Sequence, residues 1–195
     1  MSNQPLAEPP SHRALIVYSS RFGQSEKIAR AVAAVLSDRG IGADLEPLTR
    51  DTAVDPTRHG AFGLVASVRY GHFDKRARRL LVRHTAFLEA SPSLLMTVSL
   101  TARTPEKRDP AVHVYTRKFL EQTAWRPTLT EVVAGALQYQ RYRWFDAVMI
   151  RFIMRLTGGV TDPTADIEYT DWDQVSTAAD RFAELVLAPP KPPTH

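Results

Sequence analysis

The chain has 195 residues, 14 Pro, 9 Gly, no Cys and a formal net charge of +4, enough length for one full domain with its own core. With 44% hydrophobic and 24% charged residues, it has the balance of a globular protein, not of a disordered polymer or a fibre. Lack of Cys excludes disulfides, thiolate metal sites, cysteine nucleophiles and Cys-held iron–sulfur clusters, and no apolar run approaches the roughly 18 residues of a membrane-spanning helix. Residues 1–12 hold three prolines and no apolar stretch, so they read as a tail and not as a secretion signal. The expected compartment is the cytoplasm, or a membrane surface facing it.

Ala14–Tyr18 is a continuous apolar run of strand length, and Ser19–Ser25 a turn. Glu26–Arg39 places Ile28, Val32, Val35 and Leu36 at helical spacing, with Gly40 as a stop. Ala43–Leu48 alternates weakly and reads as a second strand; Ala61–Ser67 is a third. Lys75–Leu88 has helical spacing through Ala77, Leu80, Leu81, His84 and Leu88. Leu94–Leu100 is a fourth strand, Tyr115–Thr123 a helix and Glu131–Leu137 a fifth strand. Tyr142–Leu156 and Trp172–Leu187 are helical, the latter opened by an Asp171/Gln174 capping pair. Residues 188–195, with four prolines, read as a second tail. Apolar strands alternating with helices predict a parallel sheet covered on both faces, in a single domain over 13–187.

In such a sheet, ligands bind beyond the carboxyl ends of the strands. The first end, Ser19–Ser25, offers hydroxyls at Ser20 and Ser25, backbone N–H groups around Gly23 and the positive end of a helix dipole. It carries neither Gly-Lys-Ser/Thr nor G-x-G-x-x-G, so it is neither a triphosphate loop nor a dinucleotide fingerprint; it suits a terminal phosphate monoester. The alternative is an ordinary helix start. The second end carries Ser67, Tyr70, Gly71 and His72, an aromatic ring beside a glycine that admits a planar ligand; a surface turn is the alternative. Ser99, Leu100, Thr101, Ala102 and Arg103 form the third end, and Gln138, Tyr139 and Gln140 the fourth. Together the four describe a flavin mononucleotide pocket.

Charge is unevenly spread. Residues 69–84 hold six Lys/Arg against Asp74 alone, and 101–160 hold ten against five acids. One face is therefore expected to meet an anion or an anionic surface, with a plain solvated surface as the alternative. Phe145, Met149, Phe152 and Leu156 recur at helical spacing, with Arg151 and Arg155 on another face, so 141–159 reads as an extra basic amphipathic helical insert. It is suited to core packing, to a bilayer or to a subunit contact, which leaves a homo-oligomer open. No helix-turn-helix, zinc or RNA-binding signature is present, so nucleic acid is not an expected partner.

Y-S-S-R-F-G-Q-S (18–25) resembles the flavodoxin phosphate signature. S-V-R-Y-G-H-F (67–73), S-L-T-A-R-T-P-E-K-R (99–108), Y-T-R-K-F-L (115–120), A-G-A-L-Q-Y-Q-R-Y-R-W-F-D (134–146), M-I-R-F-I-M-R-L-T-G-G (149–159) and Y-T-D-W (169–172) extend the likeness over about Ala14–Val186. Here the chain resembles the menaquinone-dependent protoporphyrinogen IX dehydrogenases, flavodoxin-like enzymes of haem biosynthesis. It departs from them at the apolar Phe22. The resemblance implies an α/β flavodoxin-like, doubly wound five-stranded parallel sheet of order 2-1-3-4-5. It also implies non-covalent FMN, oxidation of protoporphyrinogen IX and delivery of electrons to a membrane quinone such as menaquinone.

Carried over by position, Ser20, Arg21, Phe22, Gly23, Gln24 and Ser25 match the phosphate loop, and Ser67, Tyr70 and Gly71 the loop beside the flavin ring. Ser99, Leu100, Thr101, Ala102, Arg103 and Tyr139 match the loops beyond. Arg103, Arg108, Arg117, Arg141 and Arg143 are candidates to pair with substrate propionates, since guanidinium and carboxylate pair bidentately. No metal ligand set is expected. No His/Asp/Glu arrangement reads as a dedicated acid–base site, which leaves flavin as the expected redox group and no catalytic side chain assigned. An electron-carrier flavodoxin or quinone reductase without porphyrinogen activity is the alternative function, although such carriers are usually acidic and this chain has a pI of about 9.6.

Overall fold

A computed structural model describes residues 12–138 and 166–189. Its main sheet has five parallel strands: β1 (Arg13–Ser19), β2 (Gly42–Pro47), β3 (Ala61–Ser67), β4 (Ser93–Val98) and β5 (Leu129–Val133). They are ordered β2-β1-β3-β4-β5, the order expected from the sequence. The central strands are the continuous apolar runs. Ala14–Val17 of β1, Leu64–Ala66 of β3 and Leu94–Met96 of β4 are fully enclosed, because helices cover both faces of the sheet.

Side chains alternate along each strand, so one strand feeds two cores. Ala14 and Ile16 point to α1 (Gln24–Asp38) and to a C-terminal helix, called α5 below (Trp172–Leu187), where they meet Ile28, Val32, Leu36, Ala179 and Phe182. Leu15 and Val17 point the other way. They meet Phe62, Leu80, Leu81, Phe119 and Trp125 beneath α2 (Lys75–Arg83), α3 (Thr85–Ala90) and α4 (Val114–Thr123).

Three expectations are corrected. The fifth strand does not run through Leu137: β5 ends at Val133, and Ala136–Gln138 is a separate strand, β6, pairing antiparallel with β7 (Asp166–Glu168). The break falls at Gly135, whose carbonyl accepts from Tyr169 N–H. A Cβ there would sit 3.1 Å from Val98 Cγ1. The helix over Lys75–Leu88 is two helices parted at His84, whose Nε2 accepts from the Val54 N–H at 3.3 Å. Asp171 does cap α5 by accepting from Gln174 N–H at 3.1 Å, but Gln174 does not reciprocate; its Nε2 donates to Val132 O at 3.1 Å. The expected helix over Tyr142–Leu156 and the insert at 141–159 lie outside the described residues, as do the two tails apart from Ala188, Pro189 and the junction at His12. Among the described residues no helix is long and apolar enough to cross a membrane.

Candidate functional site at the strand ends

The ends of β1, β3, β4 and β5 lie side by side, since the register pairs Ser19 with Ala66, Ser67 with Val98 and Val98 with Val133. The bonding carries on past the strands: Val68 N–H donates to Val98 O and Ser99 N–H to Val133 O. The loops that follow are thereby gathered at one rim.

At β1, Ser20 Oγ accepts from Gly23 N–H at 3.0 Å and closes the loop. Gly23 sits at φ +95°, a left-handed conformation that glycine adopts without a Cβ penalty. No side chain caps the start of α1, so its first N–H groups and positive dipole end keep the character of an anion seat. Ser25 and Gln24 are buried. Gln24 Nε2 donates to Thr170 Oγ1 at 2.8 Å, and Thr170 Oγ1 donates to Ala134 O at 2.9 Å, which ties this loop to the end of β5. Gln24 Oε1 is buried without a partner among the described residues. The guanidinium of Arg21 lies 5.6 Å from the centroid of the Phe22 ring, so the apolar departure at Phe22 serves as a platform for a cation. Hydroxyls, amide donors and a left-handed glycine at a helix start are a donor set that fits a phosphate monoester.

At β3, Ser67 Oγ donates to Ser19 O at 3.2 Å. Arg69 and His72 exchange both backbone hydrogen bonds at 2.9 Å, with Tyr70 at φ +49° and Gly71 at φ +77° between them. Two left-handed residues make a type I′ turn, unusual for a tyrosine. The turn lifts the Tyr70 ring to 46% exposure. Arg69 lies 4.6 Å over the ring centroid and its Nη2 donates to Tyr70 Oη at 3.2 Å.

At β4, Ser99 caps a 3-10 turn over Leu100–Arg103, accepting from Thr101 N–H at 3.3 Å and lying 2.9 Å from Thr101 Oγ1. Behind the turn stands His113, which sequence reasoning missed. Its Nε2 meets Thr101 Oγ1 at 3.1 Å and its Nδ1 meets Thr116 Oγ1 at 2.7 Å and accepts from Thr116 N–H at 3.3 Å; Thr116 Oγ1 lies 2.9 Å from Thr97 Oγ1. Burial, and then the charge of Lys107, hold the His113 pKa below its ordinary value, so the ring is neutral and works as a bracket between the turn, α4 and β4.

The substrate arginines fare unequally. Arg108 Nε donates to Ala102 O at 3.0 Å and Nη1 to Asp171 at 2.9 Å, bracing the turn against α5. The Gln174 N–H, and then Arg108, hold the Asp171 carboxyl below the usual carboxylate range. Arg103 Nη1 donates to Leu100 O at 3.3 Å, and Arg117 faces Glu121 at 3.7 Å. Tyr139, Arg141 and Arg143 lie outside the described residues. The structure thus brings Ser20–Ser25, Ser67, Tyr70, Gly71 and Ser99–Arg103 to one rim. Thr170, also missed, was marked only by the run Y-T-D-W. Among the described residues no group of three or more His, Asp or Glu is arranged to hold a metal ion.

Comparison with known proteins gives two kinds of likeness. The family profile described as Flavodoxin domain matches residues 15–164. A protoporphyrinogen IX dehydrogenase [quinone] of Escherichia coli (strain K12) is 40% identical over 177 residues, 91% of this chain and 98% of that relative. One of Leishmania major is 41% identical over 184 residues, 93% of this chain and 80% of that relative. Among solved structures, a flavodoxin from the domain Archaea superposes with a TM-score of 0.53 at 12% identity, covering 89% of this chain and 98% of its own, a likeness of fold.

Proposed function

The chain belongs to the flavodoxin-domain family and, within it, to the protoporphyrinogen IX dehydrogenases [quinone], and from that premise we propose that it oxidises protoporphyrinogen IX to protoporphyrin IX, passing electrons to a membrane quinone such as menaquinone. FMN is the cofactor of the flavodoxin domain, and when bound it supplies two-electron redox chemistry. The balance is one porphyrinogen and three quinones going to one porphyrin and three quinols, six electrons and six protons in all. The reaction is a late step of haem formation.

The reading is supported above all by identity that runs nearly end to end with relatives of that activity, on a chain whose strand-end loops fit FMN. In this reading Ser20, Ser25 and the first N–H groups of α1, just after Gly23, would hold the phosphate through hydrogen bonds and the helix dipole. Arg21 and Phe22 would lie beside it, and Gln24 Oε1, buried and without a partner among the described residues, is an acceptor that a cofactor hydroxyl would satisfy. Ser67, Tyr70 and Gly71 would line one side of the flavin seat, and Ser99, Leu100, Thr101, Ala102 and Arg103 the other; the family resemblance adds Tyr139 to the same set. His113 and Arg108 position the second wall. No side chain is assigned a proton-transfer role: the chain's part is to place the ring, exclude water and receive the substrate.

The test is direct. The purified chain with FMN is given protoporphyrinogen IX and a soluble naphthoquinone, and porphyrin fluorescence is followed above the autoxidation blank. Quinone-dependent porphyrin formation at three quinones per porphyrin is expected. A flavin that binds and cycles with other donors while forming no porphyrin would make the chain an electron carrier or quinone reductase instead.

A further inference from the structure

Beside the rim, a groove of about 660 Å³ runs between α2 and α4. Its floor is aromatic: Phe73 stacks on Phe119 with centroids 4.2 Å apart, and Tyr115 stands at one end. Its walls carry Lys75, Arg78, Arg79 and Arg83 from α2 and Lys118 from α4. Among the described residues none of these five cations makes an ion pair within 4.0 Å, and the lone acid of the groove, Asp74, is already bridged by Arg76. The four cations of α2 lie at i, i+3, i+4 and i+8, on one face of the helix, while Ala77, Leu80 and Leu81 face the core.

This arrangement costs stability in the free protein. Like charges three and four residues apart repel, and Lys75 sits at the positive end of the helix dipole. A bound anion relieves both. The groove also joins the rim: Gly71 and His72 of the type I′ turn line its end, and a Cβ on Gly71 would lie 3.0 Å from the Tyr115 ring.

We propose that this groove is the carboxylate subsite for the tetrapyrrole, holding the two propionates of protoporphyrinogen IX on the cations of α2 and α4 while the macrocycle reaches past Tyr70 to the flavin rim. The assignment rests on the function proposed above and moves the propionate partners away from Arg103, Arg108 and Arg117. A cavity of this size is within the usual range for a small organic ligand. Aromatic floor with cationic walls matches a molecule with an apolar ring body and acid groups along one edge, and the excess of cations over two carboxylates leaves the complex without an unpaired buried anion.

The experiment compares the holoenzyme with R78Q/R79Q/R83Q and, from the other wall, K118Q, using protoporphyrin IX and its dimethyl ester at equal detergent concentration, with binding read from the porphyrin absorbance. The wild type is expected to prefer the free acid. The triple variant should weaken free-acid binding about 10-fold or more, and Lys118→Gln about 3-fold, with ester binding, FMN content, unfolding midpoint and KM for the quinone unchanged. Equal affinity of wild type and triple variant for the free acid overturns the proposal, as does equal wild-type affinity for acid and ester. Co-sedimentation with phosphatidylglycerol vesicles runs in parallel: loss of vesicle binding at unchanged porphyrin affinity makes the face a bilayer contact and also overturns it. Because binding is read without turnover, a wild type that prefers the free acid yet forms no porphyrin sinks the function and keeps the subsite; one that turns over normally with the variants unaffected does the reverse.

Discussion

The two faces of the sheet are built to opposite rules. On the α1/α5 face the core is apolar, and several surface cations have an acid of their own: Arg30 with Glu26, Arg39 with Asp180, Arg181 with Glu131 and Lys27 with Glu168. On the α2/α4 face a buried polar chain runs through Thr97, Thr116, His113, Thr101 and Ser99, and five cations line a groove without ion-pair partners among the described residues. One face is finished by its own contacts. The other leaves charge arranged around a space, which is where a ligand's interactions are still to be made.

The largest effect should come from breaking the finished face. Phe182 is fully buried and touches both α1 and the sheet. Phe182→Ala is expected to cost about 3–5 kcal/mol in urea unfolding, as transfer and cavity contributions add. Arg79→Gln, on the other face, should stay within about 0.5 kcal/mol of wild type. Comparable losses for the two would erase the contrast.

A matched pair of glycines sharpens the comparison. Gly40, after α1, has φ +78° and nothing within 4 Å of an added Cβ; Gly71 has φ +77° and the Tyr115 ring at 3.0 Å. Alanine at either site pays the left-handed backbone cost, about 1–2 kcal/mol. Gly71→Ala should lose more than Gly40→Ala, because Tyr115 must move as well, and it should also shift the Arg69–His72 turn and weaken FMN binding. Equal unfolding midpoints with equal FMN affinity would mean that Tyr115 gives way freely and that the turn and groove are independent.

The same contrast explains what was legible in the sequence. The inner strands β1, β3 and β4 were plain because burial on both faces leaves an unbroken apolar run, and α5 was plain because Asp171 caps it and its apolar positions keep helical spacing. The phosphate loop was legible because its donors are consecutive in sequence, from Ser20 to Ser25. The break at His84 was not, since its cause is a hydrogen bond from Val54 thirty residues away. Nor was the end of β5, where Gly135 leaves the sheet to meet Tyr169. His113 was not legible either: one partner, Thr116, is near in sequence, but the other, Thr101, belongs to the turn after β4, and only the fold makes the ring a bracket. The groove cations were visible as charge but not as a site, because the helix had to be set beside α4 before they faced anything.

His113 provides the finest discrimination between the faces, through pH. Its Nδ1 accepts from Thr116 N–H, so the folded state needs the neutral ring, and burial followed by Lys107 lowers its pKa. His84 is lowered by burial and by Arg83 and likewise accepts a backbone N–H. For both, the unfolded chain titrates at about 6.5 and the folded chain lower. Their stabilising contribution is therefore full above that pH, declines as pH falls below it because the unfolded state takes up protons first, and is gone once pH passes below the folded values. The lowered carboxylates, Asp171 and Asp74 among them, lose their contribution only below about pH 4. Urea unfolding at pH 7.5 and 5.5 therefore isolates the histidines. The wild type should be less stable at pH 5.5, and His113→Gln should have a shallower pH dependence and weaker FMN binding, with the remaining slope coming from His84. An unaltered slope in that variant would mean the buried polar chain does not depend on a neutral ring, and that the Leu100–Arg103 turn is held by Arg108 and Asp171 alone.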